Sequence, residues 1–209
     1  MNRLLDDRGG RVLALGAHPD DLELGAGGLL ARLAADGAEV TMVVVTIPSD
    51  FARRRDEANA AADVIDADLR IVFEDQPRRV EDVAMHELVR RLDVLVGDAR
   101  PDLVITHSAH DLHWDHGLVH RATVSALRRV PCDLLSYLSS PELNAQARSH
   151  GECFADITRS LETKLAAIRC HASQLTKLDI ESSRDLARAA GRISGYEYAE
   201  RYEALRIRI

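Results

Sequence analysis

Residues 11–21 read Arg-Val-Leu-Ala-Leu-Gly-Ala-His-Pro-Asp-Asp, a short apolar run that stops on an imidazole and two carboxylates. A run of this length without polar alternation fits a buried strand, and the polar residues after it fit the loop at its carboxyl end. The same grammar recurs about a hundred residues on. There the apolar stretch 102–106, placed after Pro101, leads straight into His107 and then His113-Trp114-Asp115-His116. Between and beyond these runs, strand-sized segments at 39–46, 69–73 and 133–138 alternate with helical patterns at 28–36, 53–65, 83–96 and 118–129. In the second of these helices Ala58, Ala61, Ala62 and Ile65 fall at helical spacing. Residues 158–174 and 183–204 also read as helices, the latter interrupted at Gly191 and Gly195.

Strands alternating with helices imply parallel pairing and right-handed crossovers, hence an α/β fold: a three-layer sandwich with a Rossmann-like, mostly parallel sheet. In the common strand order 3-2-1-4-5, the first and fourth strands are neighbours, and ligands bind in the crevice beyond their carboxyl ends. The two histidine-bearing loops are thereby expected to meet in space. Residues 1–209 read as one domain, with a helical C-terminal part from about 158.

Composition narrows the function. A net charge of −7 argues against a nucleic-acid partner, which needs a basic footprint. No apolar run reaches the length of a membrane span, and residues 1–10 lack the apolar core of a signal peptide, so a cytoplasmic location is the expectation. Cys132, Cys153 and Cys170 are odd in number and far apart, which suits small core hydrophobes better than a disulfide framework.

Neutral imidazole together with carboxylate is the donor mixture a divalent cation favours. His18 and Asp21, three apart across a turn stiffened by Pro19, can aim at one point, and Asp20 between them can face the opening. The plainer alternative is that both aspartates cap the following helix. Five of nine histidines fall between His107 and His120. His116 is read as the third ligand, with His113 close by. His116 and His120, one helical turn apart, form a rival ligand pair, while His107 and His110 line the pocket or bond to backbone. Gly25, Gly27 and Gly28 invite a dinucleotide-binding reading, but Leu30 stands where its third glycine belongs, and Asp20, Asp21 and Glu23 would repel a pyrophosphate. Close approach of helix and sheet explains these glycines better. Arg53, Arg54 and Arg55 open a helix against its macrodipole, which suggests a compensating role for one of them, with Glu57 as a partner. Arg53, Arg54, His107 and Asp111 are the candidate substrate contacts.

These positions resemble the LmbE-like deacetylases, also called the PIG-L family of N-acetylglucosaminyl deacetylases. The likeness rests on Ala17-His18-Pro19-Asp20-Asp21 with Gly27-Gly28, and on Asp111 through His116. Weaker echoes are Arg54 through Ala58, and Lys164-Leu165 through His171-Ala172-Ser173-Gln174. The resemblance implies His18, Asp21 and His116 as ligands of Zn2+ (Fe2+ or Co2+ being alternatives), with a position left open for water. It implies Asp20 as general base, and a cationic His113 that stabilises the oxyanion or protonates the amine. Asp115 would then orient His113. The implied substrate is a small N-acetylated amino sugar or its conjugate. The chain departs from the family pattern in a short segment, 47–52, before the arginines, in Trp114, where proline or a polar residue is commoner, and from Ser182 onward. These departures fall on substrate walls, and the C-terminal helices are candidates for homo-oligomer contacts.

Overall fold

A computed structural model of the chain describes residues 10–138, 152–175 and 180–208; the expectation for the N-terminal stretch through residue 9 lies outside them. Along the chain run β1 (Arg11–Gly16), α1 (Asp21–Ala35), β2 (Glu39–Val44), α2 (Phe51–Ile65) and β3 (Asp68–Ile71). They are followed by α3 (Met85–Ala99), β4 (Leu103–His107), α4 (Trp114–Ala126) and β5 (Asp133–Tyr137). The described chain ends with β6 (Glu152–Asp156), α5 (Leu161–Cys170), α6 (Ile180–Ser194) and β7 (Ala199–Arg206).

The sheet runs β3-β2-β1-β4-β5-β7-β6, parallel through β5 and antiparallel over its last two strands. The expected order 3-2-1-4-5 is therefore present. β1 lies between β2 and β4, with Val12 opposite both Val40 and Leu103. Its side chains alternate between two cores. Val12 and Ala14 pack with residues of α1 and α2, while Leu13 and Leu15 pack with residues of α3 and α4. Helices thus cover both faces, and the crevice at the carboxyl ends of β1 and β4 is the topological switch point.

Two elements correct the sequence reading. Helix α1 begins at Asp21, seven residues before its expected start, so Gly25, Gly27 and Gly28 lie inside it. Each glycine weakens a helix interior by about 1 kcal/mol relative to alanine, which hides the helix from propensity. Packing compensates for that loss. A Cβ on Gly25 would stand 1.9 Å from Cδ2 of Tyr137, and one on Gly28 would stand 2.8 Å from Ile157. The second correction is β7, which takes the last part of the expected helix 183–204, whose first part is α6. Helix α6 ends at Ser194, Gly195 takes φ +82°, and the chain returns as a strand between β5 and β6. Strand β6, not anticipated, pairs with it.

Glu200 of β7 reaches α1 through the glycine gap. Its buried carboxylate accepts the backbone N–H groups of Gly28 and Leu29, each at 2.8 Å, and the hydroxyl of Tyr202 at 2.7 Å. Lys164 Nζ stands 2.6 Å from the same carboxylate and donates to the Leu24 carbonyl at 2.7 Å. The carboxylate is compensated by four donors, which is what a buried charge requires. Among the described residues, no helix is long and apolar enough to cross a membrane.

Candidate metal centre

Three elements deliver the candidate ligands to the switch point. His18 follows β1, Asp21 opens α1, and His116 lies in the first turn of α4. The Asp21 carboxylate is the hub. Oδ2 accepts the His18 backbone N–H at 2.8 Å and lies 3.6 Å from His18 Nδ1, while Oδ1 lies 3.3 Å from His116 Nε2. The rings of His18 and His116 are 5.8 Å apart between centroids. The two loops do converge.

Each of these histidines has its remote nitrogen on a carboxylate. His18 Nε2 is 3.0 Å from Asp115 Oδ2, and His116 Nδ1 is 3.0 Å from Asp111 Oδ2. A carboxylate that fixes the tautomer and leaves the other nitrogen free is the usual support of a metal-binding histidine. The donor set therefore fits a divalent cation held by His18, Asp21 and His116. The donors also fall into two compact overlapping triads, His18 with His113 and His116, and Asp21 with His107 and His116. His107 is already engaged: its Nε2 accepts the Ala17 N–H at 2.9 Å. His113 Nδ1 accepts the Asp115 N–H at 3.2 Å as the N-cap of α4, which leaves Nε2 as its free nitrogen.

Several expectations change here. The Asp115 carboxylate takes His18 and the Val80 N–H at 3.3 Å, so its side chain orients His18, and its backbone N–H bonds to His113. The Asp111 carboxylate, expected to touch substrate, is buried against His116 Nδ1. His107, also expected to touch substrate, is 0% exposed and stacks on His116 at 3.9 Å between centroids. His120 Nδ1 is 2.8 Å from the His107 carbonyl, and among the described residues His120 joins neither donor triad. Arg53 is exposed and bonds to Glu57 at 3.1 Å. Arg54 is buried; it donates to the Pro19 carbonyl at 3.1 Å and stands 3.6 Å from Asp20 Oδ2. It clamps the turn that carries Asp20.

The electrostatics follow from this crowding. Burial disfavours the charge on Asp21, but His116 and His107 outweigh it and hold the carboxyl well below its usual range. Burial also disfavours a charged His116, yet Asp21 and Asp111 raise it to about 10, so a proton occupies the place a cation would take. Burial brings His107 down to about 4. His113 is lowered as well, by burial and then by His116 and His18, a direction that disfavours the expected cationic form. Asp20 is pushed up to about 7 by burial and the neighbouring Asp21. Its backbone sits at φ +93° and its side chain makes no capping bond, so the helix-cap alternative fails. A strained residue held at the mouth of a site is a functional signal.

Sequence reasoning missed the layer beneath Asp20. There Glu23 and His171 are both buried and paired at 3.1 Å, and Glu57 accepts the backbone N–H and hydroxyl of Ser173 at 2.8 and 2.5 Å. The stretch 164–174 carried the signal for these contacts.

Over residues 13–127, from β1 into the end of α4, the chain matches the model of the PIG-L family, described as GlcNAc-PI de-N-acetylase. The uncharacterized deacetylase YaiS of Escherichia coli K12 is 30% identical over 135 residues, which cover 60% of this chain and 72% of YaiS. The 1D-myo-inositol 2-acetamido-2-deoxy-alpha-D-glucopyranoside deacetylase of Mycobacteroides abscessus is 25% identical, covering 85% of this chain and 86% of its own. GalB of Pseudomonas putida KT2440, a 4-carboxy-2-hydroxymuconate hydratase, shares the fold at a TM-score of 0.77, with 23% identity over 95% of this chain and 97% of its own. The fold alone therefore does not decide the reaction.

Proposed function

The chain belongs to the PIG-L family of GlcNAc-PI de-N-acetylases, and on that premise we propose that it is a metal-dependent hydrolase removing an acetyl group from an N-acetylated amino sugar or its conjugate. The observation that carries the proposal is the pair of histidines, His18 and His116, each backed by a carboxylate and facing the shared Asp21.

His18, Asp21 and His116 would hold the cation, which would supply Lewis acidity toward the amide carbonyl and the attacking water. Asp20, raised to about 7, is a base matched to neutral pH and takes the proton of the attacking water. The Nδ1 of His113 accepts the Asp115 N–H, so the ring carries its proton on Nε2. That N–H donates to the oxygen on which negative charge develops. Collapse breaks the C–N bond, and Asp20 returns its proton to the departing amine, giving acetate and a free amino sugar. Arg54 keeps Asp20 aimed through the Pro19 carbonyl.

The test is metal analysis of the purified protein joined to an acetate-release screen over N-acetylated amino-sugar conjugates. Cation-dependent release of acetate is the expected result. Absence of release across the panel from a fully metallated protein would overturn the proposal. The GalB likeness supplies the control reading, hydration of an unsaturated carboxylate, assayed on the same sample.

A further inference from the structure

Leu112 and Trp114 flank His113 and are among the most exposed large apolar side chains of the molecule, at 75% and 64%. Single exposed apolar residues are ordinary, but two of them bracketing the proposed oxyanion donor form a local apolar rim. Both line a groove of about 200 Å3, whose other lining includes His113, Gly117 and Leu118 and the polar Asp111, His120 and Arg121. Gly117 and Arg121 lie about one and two turns beyond Trp114 on α4, so the groove runs from His113 outward along the helix. Two of its walls touch the donor cluster: the His113 ring stacks on His116 at 4.3 Å between centroids, and Asp111 Oδ2 lies 3.0 Å from His116 Nδ1.

The geometry points to Trp114, with Leu112, as a specificity platform that holds the flat apolar face of the substrate beyond the scissile amide. Identifying the occupant as substrate rests on the deacetylase reading. An amide whose carbonyl meets His113 places whatever its nitrogen carries within one residue's reach of the indole. A pyranose ring presents a C–H face edged with hydroxyls, and an aryl aglycone presents a larger flat face. Both match an indole backed by Leu112, with the Arg121 guanidinium at the far end for polar groups. The chemistry is the same for ring and aglycone: stacking of a flat apolar face.

Trp114 is the single tryptophan of the chain, so its emission reports the platform directly. Metal-loaded protein is titrated with the methyl and the phenyl glycosides of N-acetylglucosamine, and acetate release is followed in parallel. The expected result is a saturable blue shift or quench with the phenyl glycoside. In Trp114→Ala the phenyl-to-methyl ratio of kcat/KM should fall about tenfold, mainly through KM, with Trp114→Phe recovering most of it. A response to the methyl glycoside as well assigns the sugar ring as the occupant. A response to the phenyl glycoside alone assigns the aglycone. Silent emission with both ligands, and an unchanged ratio in Trp114→Ala, overturns the platform even if acetate is released. A saturable response without acetate release upholds the platform and removes the deacetylase reading instead.

Discussion

At the residue scale, the site consists of ligands and of carboxylates that serve them. Asp115→Asn and Asp111→Asn each remove the charge behind a ligand histidine, so cation affinity should fall about 10–100-fold, measured by competition with a chelator. Asp20→Asn should leave the cation content intact and lower kcat by about 10²-fold or more, since asparagine tolerates the left-handed backbone but takes no proton. pH separates protons from metal at His116. Its folded value is raised from 6.5 to about 10, so its stabilising effect on the metal-free protein is complete below 6.5 and is lost as pH rises through about 10. A cation must displace that proton, so affinity should rise about tenfold per pH unit between 7 and 9 by calorimetric titration; a flat profile would show that no proton on His116 competes with the cation. The convergence of His18 and Asp21 with His116 is legible in the sequence because His18 and Asp21 form one tight turn. Their supports are not, because neighbours in sequence mislead. Asp115 is two residues from His113, yet at the start of a helix its side chain reaches across to His18, just past β1, while its backbone N–H is capped by His113.

At the element scale, two helical glycines of the same type carry opposite predictions. Gly25→Ala in α1 drives a methyl into the Tyr137 ring and should destabilise the fold by about 1–3 kcal/mol in denaturant melts. Gly97→Ala in α3 meets nothing within 4 Å and should stabilise it by about 0.5–1 kcal/mol. Equal effects at the two positions would remove close approach as the reason for the α1 glycines. The early start of α1 was hidden in the sequence because what favours those glycines, Tyr137 and Ile157, is more than a hundred residues away. β7 was hidden for a related reason. Ala199–Arg206 is rich in Ala, Glu, Leu and Arg, all good helix formers. The open edge of β5 and the burial of Glu200 against α1 decide instead for a strand.

At the scale of the whole molecule, the strand order was legible because alternating strands and helices admit few topologies, and the crevice follows from β1 lying between β2 and β4. The proposed cation ties this crevice together, since its ligands come from the end of β1, the start of α1 and the start of α4. In its absence Asp20, Asp21, Asp111 and Asp115 crowd one pocket, and part of that charge is carried by the proton on His116. Binding to the folded chain alone adds about 2.7 kcal/mol of stability at a free cation concentration one hundred times Kd. For a chain of this size that amounts to a rise in Tm of roughly 5–10 °C. Thermal melts with zinc and with chelator should show this gap in the native protein, and His116→Ala should lose it while melting as one cooperative transition. If His116→Ala keeps the full zinc-dependent rise, the cation binds elsewhere, and the convergence of β1, α1 and α4 serves another purpose.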